Sequence, residues 1–262
     1  MIFMNYLELV NKIKRINSSQ ITNNLTFDAV IRFISYYITP LFYYLKMSPN
    51  AITYTSAITG FIGSLIGIIY GVKYIGLVIL LFFIHLLIDY CDGNIARLLE
   101  KSTFHGRFID GLFNILVVSI MQVSLYIMLF DSLDMGHTIN VPFLNEFHIM
   151  VICLIAIALH PAQHFIYDRY SAHIRWVNDD HQLNIFPSIK ANMSFKIIHG
   201  FDNLNHITLI LSVYDVSFIL LNFIIHILLA VLLIYFHIKY SYINMNVAAN
   251  KNHRVKQGKS ND

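Results

Sequence analysis

Two pairs of polar side chains lie within long apolar stretches of this sequence, and their spacing suits metal-assisted phosphate chemistry. Asp89 and Asp92 are at positions i and i+3, and Asp110 and Asn114 are at positions i and i+4. On a helix, either spacing places both members of the pair on one face. A short turn through residues 99–104 would make the two helices antiparallel. Three carboxylates and one amide would then converge at one depth in the membrane.

Carboxylates at membrane depth are costly, by about 2.5–3.5 kcal/mol each at the centre of a helix. Three of them together need a compensating positive charge. A hard divalent cation with oxygen ligands supplies it, and Mg²⁺ suits a site that is shared with substrate phosphates. We therefore expect Asp89, Asp92 and Asp110 to bind a divalent cation. The alternative is that these aspartates are solvated in the headgroup region and only cap helices.

The residues between the two pairs fit a ligand that carries phosphate. Gly93 allows a ligand to approach the helix backbone, and Arg97 can hold a phosphate through two parallel hydrogen bonds. Ala96 and Gly106 complete a set of fixed positions across the segment. The whole set at this spacing is far more specific than any one aspartate.

The segment from Asp89 to Asn114 resembles the motif of the CDP-alcohol phosphotransferases, D-x2-D-G-x2-A-R-x8-G-x3-D-x3-D, at every fixed position except the last. Residues 49–53 read Pro-Asn-Ala-Ile-Thr, which is similar to a P-N-x-hydrophobic-T segment of the same family. The resemblance covers about residues 28–114. Beyond that range, the likeness lies only in the number of helices.

This resemblance implies a transferase that moves a substituted phosphate from a CDP-linked donor to an alcohol or lipid acceptor and releases CMP, in phospholipid or surface-glycan precursor synthesis. It implies that Mg²⁺ or Mn²⁺ is bound by Asp89, Asp92, Asp110 and Asn114. It also implies a substrate site formed by Asn50, Thr53, Gly93, Arg97 and Gly106. Membrane lipids and a second copy of the chain are the other expected partners. Nucleic acid is not expected, because the formal charge is only +3.

Asn114 departs from the family pattern, in which the last aspartate is both a metal ligand and the expected base for the acceptor hydroxyl. An amide offers a carbonyl oxygen to a metal but cannot accept the proton. Three interpretations stay open: another group is the base, the metal itself acidifies the hydroxyl, or the protein binds a CDP-alcohol or lipid without turnover. His105, beside Gly106, is the candidate base, and an interfacial histidine at a helix start is the alternative.

The composition indicates that most of the chain meets lipid or other helices. Hydrophobic residues make up 56% of the 262 residues and charged residues 13%, whereas a soluble domain carries about 25% charged residues. Several apolar runs reach the ~20 residues that a spanning helix needs. The longest apolar run, residues 204–238, either forms a hairpin that breaks near Tyr214-Asp215 or continues as one helix. The expected apolar segments are 51–70, 74–98, 105–130, 147–169 and 204–238.

We therefore predict an all-α, polytopic bundle of about six spans with an N-terminal interfacial helix. The arm and interfacial helix would occupy 1–47, the catalytic bundle 48–240 and a cytoplasmic tail 241–262. The loop 131–146 contains no Lys or Arg, so the opposite, basic side is expected to be cytoplasmic. The site would then face the cytoplasm from an inner or plasma membrane. A cytoplasmic tail also requires an even number of crossings.

Two further patterns lie outside the motif. Gly60, Gly63 and Gly67 form a small-residue face for close helix packing and are one local hint of a homodimer. His160 and His164 are at positions i and i+4 in the fourth expected span, followed by Asp168. This polar stripe is either part of the acceptor pocket or a packing stripe kinked at a proline. A zinc site from the two histidines lacks an evident third ligand.

Overall fold

A computed structural model describes residues 5–17, 27–137, 144–181 and 204–258, with side chains up to residue 166 in the third range and 242 in the fourth. All regular secondary structure in these ranges is helical, so the all-α prediction is confirmed. The helices are α1 (Tyr6–Ile16), α2 (Phe27–Tyr44), α3 (Pro49–Tyr70), α4 (Ile75–Leu98), α5 (Phe104–Asp134), α6 (Glu146–His181), α7 (204–211) and α8 (Ser217–Gly258).

Four helical stretches among the described residues are long and apolar enough to cross a membrane: Pro49–Leu98, Phe104–Asp134, Glu146–Ile166 and Ser217–Tyr242. The first stretch contains both α3 and α4, joined by a 3-10 helix over Gly71–Tyr74. The chain is therefore a multi-pass membrane protein, while the count of six spans stays a prediction. α2 is not among these stretches, and its interfacial position stays a prediction.

The apolar run 204–238 is interrupted at the point where the sequence allowed a break. α7 ends at residue 211, and α8 begins at Ser217. The side chain of Asp215 accepts a hydrogen bond of 2.9 Å from the backbone N–H of Ser217, which caps the new helix. One continuous helix over this run is therefore wrong, whereas the crossing of the membrane as a hairpin stays a prediction.

The chain divides into two compact units, residues 1–149 with 206–222 and residues 150–205 with 223–262. In the first unit, α3 packs against both α4 and α5, and α2 packs against α4. α1 is amphipathic and buries Leu9 and Ile13 against Tyr36 of α2. The sequence motif lies entirely within this first unit.

α3 sets the directions of α4 and α5. Its contacts to α4 run in opposite order along the two helices, from Thr53 with Asp92 to Gly63 with Leu81, so these helices are antiparallel. Its contacts to α5 run in the same order, so those helices are parallel. They are Asn50 with Gly106, Gly60 with Val117 and Gly67 with Met128. It follows that α4 and α5 are antiparallel, as the sequence predicts.

The glycine face of α3 is packed inside the first unit. Gly60, Gly63 and Gly67 are all buried. A Cβ atom built on Gly63 would lie 3.0 Å from Cβ of Leu81, and one on Gly67 would lie 2.8 Å from Sδ of Met128. Close helix packing through this face is therefore confirmed. Because α4 and α5 of the same chain fill the face, it does not support a homodimer.

A tight connection from α4 to α5 brings the two polar pairs together. Glu100 has φ +54°, and the N–H of Lys101 donates to the carbonyl of Ala96 at 2.9 Å. These are features of a Schellman C-cap, in which a left-handed residue ends the helix. α5 then starts with a side-chain cap, since Oγ1 of Thr103 accepts the N–H of Gly106 at 2.9 Å.

Candidate active site

The carboxylates of Asp89, Asp92 and Asp110 form one cluster between α4 and α5. One oxygen from each carboxylate lies within 4.8 Å of the other two. Asp92 is buried and the other two are half-buried, so their mutual repulsion is only partly screened by solvent. Oxygens that share one Mg²⁺ at about 2.0–2.1 Å are roughly 3–4 Å apart. The cluster therefore fits a divalent cation with little rearrangement.

Asn114 completes the cluster from the turn of α5 that follows Asp110. Its side-chain nitrogen donates to Oδ1 of Asp110 at 3.1 Å and to Oδ2 of Asp89 at 3.4 Å. The amide thus joins carboxylates on two helices. In this orientation it acts as a donor, and its carbonyl oxygen is the end that could bind a cation.

A threonine in the second turn of α3 contacts the carboxylate cluster. Oγ1 of Thr53, which is buried, donates a hydrogen bond to Oδ2 of Asp92. A buried carboxylate needs such donors to offset the loss of water. The helix starts where it does because Pro49 follows an N-cap, Ser48, whose side chain accepts the N–H of Ala51 at 3.2 Å. Pro-Asn-x-x-Thr spacing therefore places the threonine one turn into the helix, at Asp92.

Asn50 and Gly106 mark the point where the first turns of α3 and α5 meet. A Cβ atom on Gly106 would lie 3.1 Å from Oδ1 of Asn50 and 3.1 Å from Oγ1 of Thr103. A larger side chain would require these two side chains to shift. Gly106 therefore allows a close approach of Asn50 to the start of α5, and helix N-termini are favourable places for phosphate.

Arg97 folds back along α4 over Gly93. A Cβ atom on Gly93 would lie 3.1 Å from Nη2 of the guanidinium, so a larger residue would require the arginine side chain to shift. Nη2 donates to Oδ1 of Asn94 at 3.2 Å. Nε is buried and has no hydrogen-bond partner among the described residues. A guanidinium with an unused buried donor, one turn from a carboxylate cluster, is suited to an anionic ligand.

Sequence reasoning missed the contact that connects Arg97 to α2. The buried amide of Asn94 donates both of its N–H groups, to Oγ of Ser35 at 3.0 Å and to Oγ1 of Thr39 at 3.0 Å. Its Oδ1 accepts a hydrogen bond from Arg97. The Asn94 side chain therefore connects the guanidinium to α2. The available signal was Ser35 and Thr39, small polar residues at i and i+4 within an aromatic segment.

The family model for CDP-alcohol phosphatidyltransferases matches residues 46–177, half of the chain. This range contains the carboxylate cluster, Asn114, Arg97 and the start of α3. The chain belongs to the CDP-alcohol phosphatidyltransferase family. The resemblance found in the sequence is thereby confirmed, although the match begins after α2 and continues into α6. No curated protein sequence matches the chain.

Membership of the CDP-alcohol phosphatidyltransferase family assigns the reaction class, which is transfer of a phosphate group from a CDP-alcohol. The family generally uses a divalent metal, and the cluster of Asp89, Asp92 and Asp110 could hold one. A CDP-alcohol donor and an alcohol acceptor are the corresponding partners. The roles of the individual residues in this chain are proposals.

The two histidines that flank the motif aspartates in the sequence differ in their surroundings. His105 is exposed in the first turn of α5, and its role as a base stays a prediction. His85 is buried one turn before Asp89 and faces α3, where its Nδ1 lies 3.0 Å from the backbone oxygen of Ser56. The hydroxyl of Ser56 donates in turn to the backbone oxygen of His85 at 2.8 Å. His85 therefore fixes α3 to α4.

Proposed function

We propose that this protein transfers the phosphate-linked alcohol of a CDP-linked donor to the hydroxyl of a second alcohol and releases CMP. The observation that carries the proposal is the convergence of Asp89, Asp92 and Asp110 within 4.8 Å of one another, one turn from the guanidinium of Arg97. Carboxylates for a cation and a guanidinium for phosphate are the two groups that a diphosphate donor needs.

Different residues of the site would bind the metal ion, the diphosphate and the rest of the CDP moiety. Asp89, Asp92, Asp110 and the carbonyl of Asn114 would hold Mg²⁺ or Mn²⁺, which offsets the negative charge of the carboxylates and of the donor diphosphate. Arg97, whose guanidinium lies against Gly93, would bind the diphosphate. The first turns of α3 and α5, at Asn50, Thr53 and Gly106, would bind the rest of the CDP moiety.

The reaction needs one bond made and one broken at phosphorus. The acceptor oxygen bonds to the phosphorus that carries the donor alcohol, and the bond from this phosphorus to the oxygen of CMP breaks. CMP leaves with that oxygen and its negative charge. The hydroxyl proton must pass to a base, which Asn114 cannot be. We propose His105, since an imidazole can act as a general base and this residue directly precedes Gly106 in the first turn of α5.

We also propose that the site opens to the cytoplasm. Lys101 lies in the connection between α4 and α5 and Arg107 in the first turn of α5, whereas the sequence 131–146, which begins in the last turn of α5, contains no Lys or Arg. Cytoplasmic loops are the ones enriched in basic residues. A CDP-linked donor made in the cytoplasm would then reach the site directly, as synthesis of a phospholipid or a surface-glycan precursor requires. A reporter fused after residue 262 and found outside the cell would contradict this orientation.

The direct test is CMP release by the purified protein in lipid nanodiscs, with Mg²⁺ and a panel of CDP-alcohols and acceptors. We expect release that needs both metal and acceptor, and that falls by about 10³-fold or more in Asp110→Ala, because the cluster acts as a unit. Asp134→Ala is the matched control, since Asp134 is exposed at the other end of α5. CDP binding without release by any pair would instead favour a binding protein.

A further inference from the structure

Three histidines meet within the second compact unit. His160 and His164 lie one turn apart on α6, and His226 lies on α8. The ring centroid of His160 is 4.6 Å from that of His164 and 5.3 Å from that of His226. The third imidazole, which the sequence could not identify, is therefore supplied by a helix more than sixty residues later in the chain.

The central imidazole of this group has unused hydrogen-bonding capacity. His160 is only 5% exposed, and neither of its ring nitrogens has a hydrogen-bond partner among the described residues. Nε2 of His226 is also buried without a partner there. A buried polar group without a hydrogen-bond partner destabilises the folded protein. This loss of stability is offset when the nitrogen atoms bind a ligand.

The distances from the ring of His160 to those of His164 and His226 match the spacing of imidazoles that share one metal ion. With metal–nitrogen bonds of about 2.0–2.1 Å and tetrahedral angles, two ring centroids lie about 5 Å apart. Rotation about the Cβ–Cγ bond turns the ring nitrogens and leaves the centroid almost in place. For the pairs His160–His164 and His160–His226, rotation of the rings would therefore direct nitrogen atoms at a common point without movement of α6 or α8.

We propose that His160, His164 and His226 bind one transition-metal ion of the Zn²⁺ class. Imidazole ligands favour Zn²⁺, Co²⁺, Ni²⁺ and Cu²⁺, whereas Mg²⁺ favours oxygen ligands. This site therefore differs in metal preference from the aspartate cluster. The bound ion links α6 to α8 within the second unit, so it stabilises the fold of that unit.

The test uses the full chain, purified without a polyhistidine tag, stripped of metal and titrated with Zn²⁺ in excess Mg²⁺. We expect one equivalent of Zn²⁺ to bind, with affinity reduced about tenfold or more in His160→Asn and in His226→Asn, as for loss of a metal-site group. His148→Asn, at an exposed histidine of α6, is the matched control. Asp92→Ala should leave this binding unchanged, so the result is independent of the proposed transferase function.

Two further measurements distinguish loss of metal binding from poor folding of a variant. Co²⁺ should give the intense visible absorption of a tetrahedral nitrogen site in the wild type, and Zn²⁺ should raise the melting temperature of the wild type but not of His164→Asn. Each variant is compared with the wild type by its melting curve without metal. The proposal is overturned if the wild type binds no Zn²⁺, if all three histidine variants bind it as tightly as the wild type, or if Asp92→Ala abolishes binding.

Discussion

The side-chain nitrogen of Asn114 lies 3.1 Å from Oδ1 of Asp110, its neighbour one turn earlier on α5. The same nitrogen donates across to Asp89 on α4 at 3.4 Å. A fourth carboxylate at this position would add negative charge to three carboxylates that already repel one another. The amide instead supplies hydrogen bonds to two of them. Asn114 therefore stabilises the cluster at the expense of a group that could accept a proton.

Asn114→Asp should separate these two effects. Without metal we expect a lower melting temperature, because a like charge replaces two hydrogen bonds. With Mg²⁺ we expect tighter metal binding and a turnover at least about tenfold higher, towards the roughly 10²–10⁴-fold that a general base contributes. Melting curves and CMP release, each with and without Mg²⁺, measure both effects. A variant with unchanged metal affinity and lower turnover would argue against Asn114 as a metal ligand.

Thr53→Val should weaken metal and CDP binding together. It removes the hydrogen bond that Oγ1 donates to the buried carboxylate of Asp92, while the shape of the side chain is kept. Hydrogen bonds to charged groups contribute about 1.5–3 kcal/mol, which corresponds to a loss of roughly 10- to 100-fold in affinity. Thr55→Val is the control, because the hydroxyl of Thr55 bonds to the backbone of Ala51 at 2.9 Å. Equal losses in both variants would show that the Asp92 contact is not responsible.

Gly60→Ala should lower the melting temperature by several degrees. The added methyl group would overlap the side chain of Val117 and lie 3.2 Å from the ring of His85, and overpacking of this kind costs about 1–3 kcal/mol. Gly111→Ala is the matched control, since a Cβ atom there meets nothing within 4 Å. Gly111 is helical, so alanine should be neutral or stabilising at that position. Equal melting of the two variants would mean that α3 is not closely packed.

Asn94→Leu should raise the KM for the donor several-fold and change kcat less. The substitution removes the hydrogen bonds to Ser35, Thr39 and Arg97, so the guanidinium loses the group that positions it. Ser35→Ala removes one of these contacts and should give a smaller change in the same direction. Steady-state kinetics with varied donor measure both parameters. A fall in kcat with KM unchanged would assign Asn94 a role in the chemical step instead.

The sequence predicts those parts of the site in which the residues are close together in the chain. Asp89 and Asp92 lie on one helix, and Asp110 and Asn114 on the next, so helical periodicity and one turn are enough to bring them together. Thr53 is placed equally directly by the proline that starts α3. Contacts between helices remote in sequence have no such signal. The bond from Asn94 to Ser35 depends on how α2 crosses α4, which periodicity does not determine.

The same limit applies to the other patterns. Gly60, Gly63 and Gly67 predict close packing, but not which surface fills the face, and the structure shows α4 and α5 there rather than a second copy. The histidine pair on α6 predicts a polar stripe, but its partner His226 becomes visible only when α6 and α8 are placed together. The break after residue 211 could be expected from Tyr214-Asp215, although the apolar run alone also allowed one long helix.

The central claim is that the aspartate cluster binds a divalent cation together with a CDP-linked donor. Its most direct test is the binding of CDP to the detergent-purified protein, with and without Mg²⁺ or Mn²⁺, in the wild type and in Asp92→Ala. We predict binding by the wild type that requires the metal and is lost in the variant, while both proteins show cooperative melting. Absence of binding to a folded wild-type protein, or equal binding to Asp92→Ala, would contradict the claim.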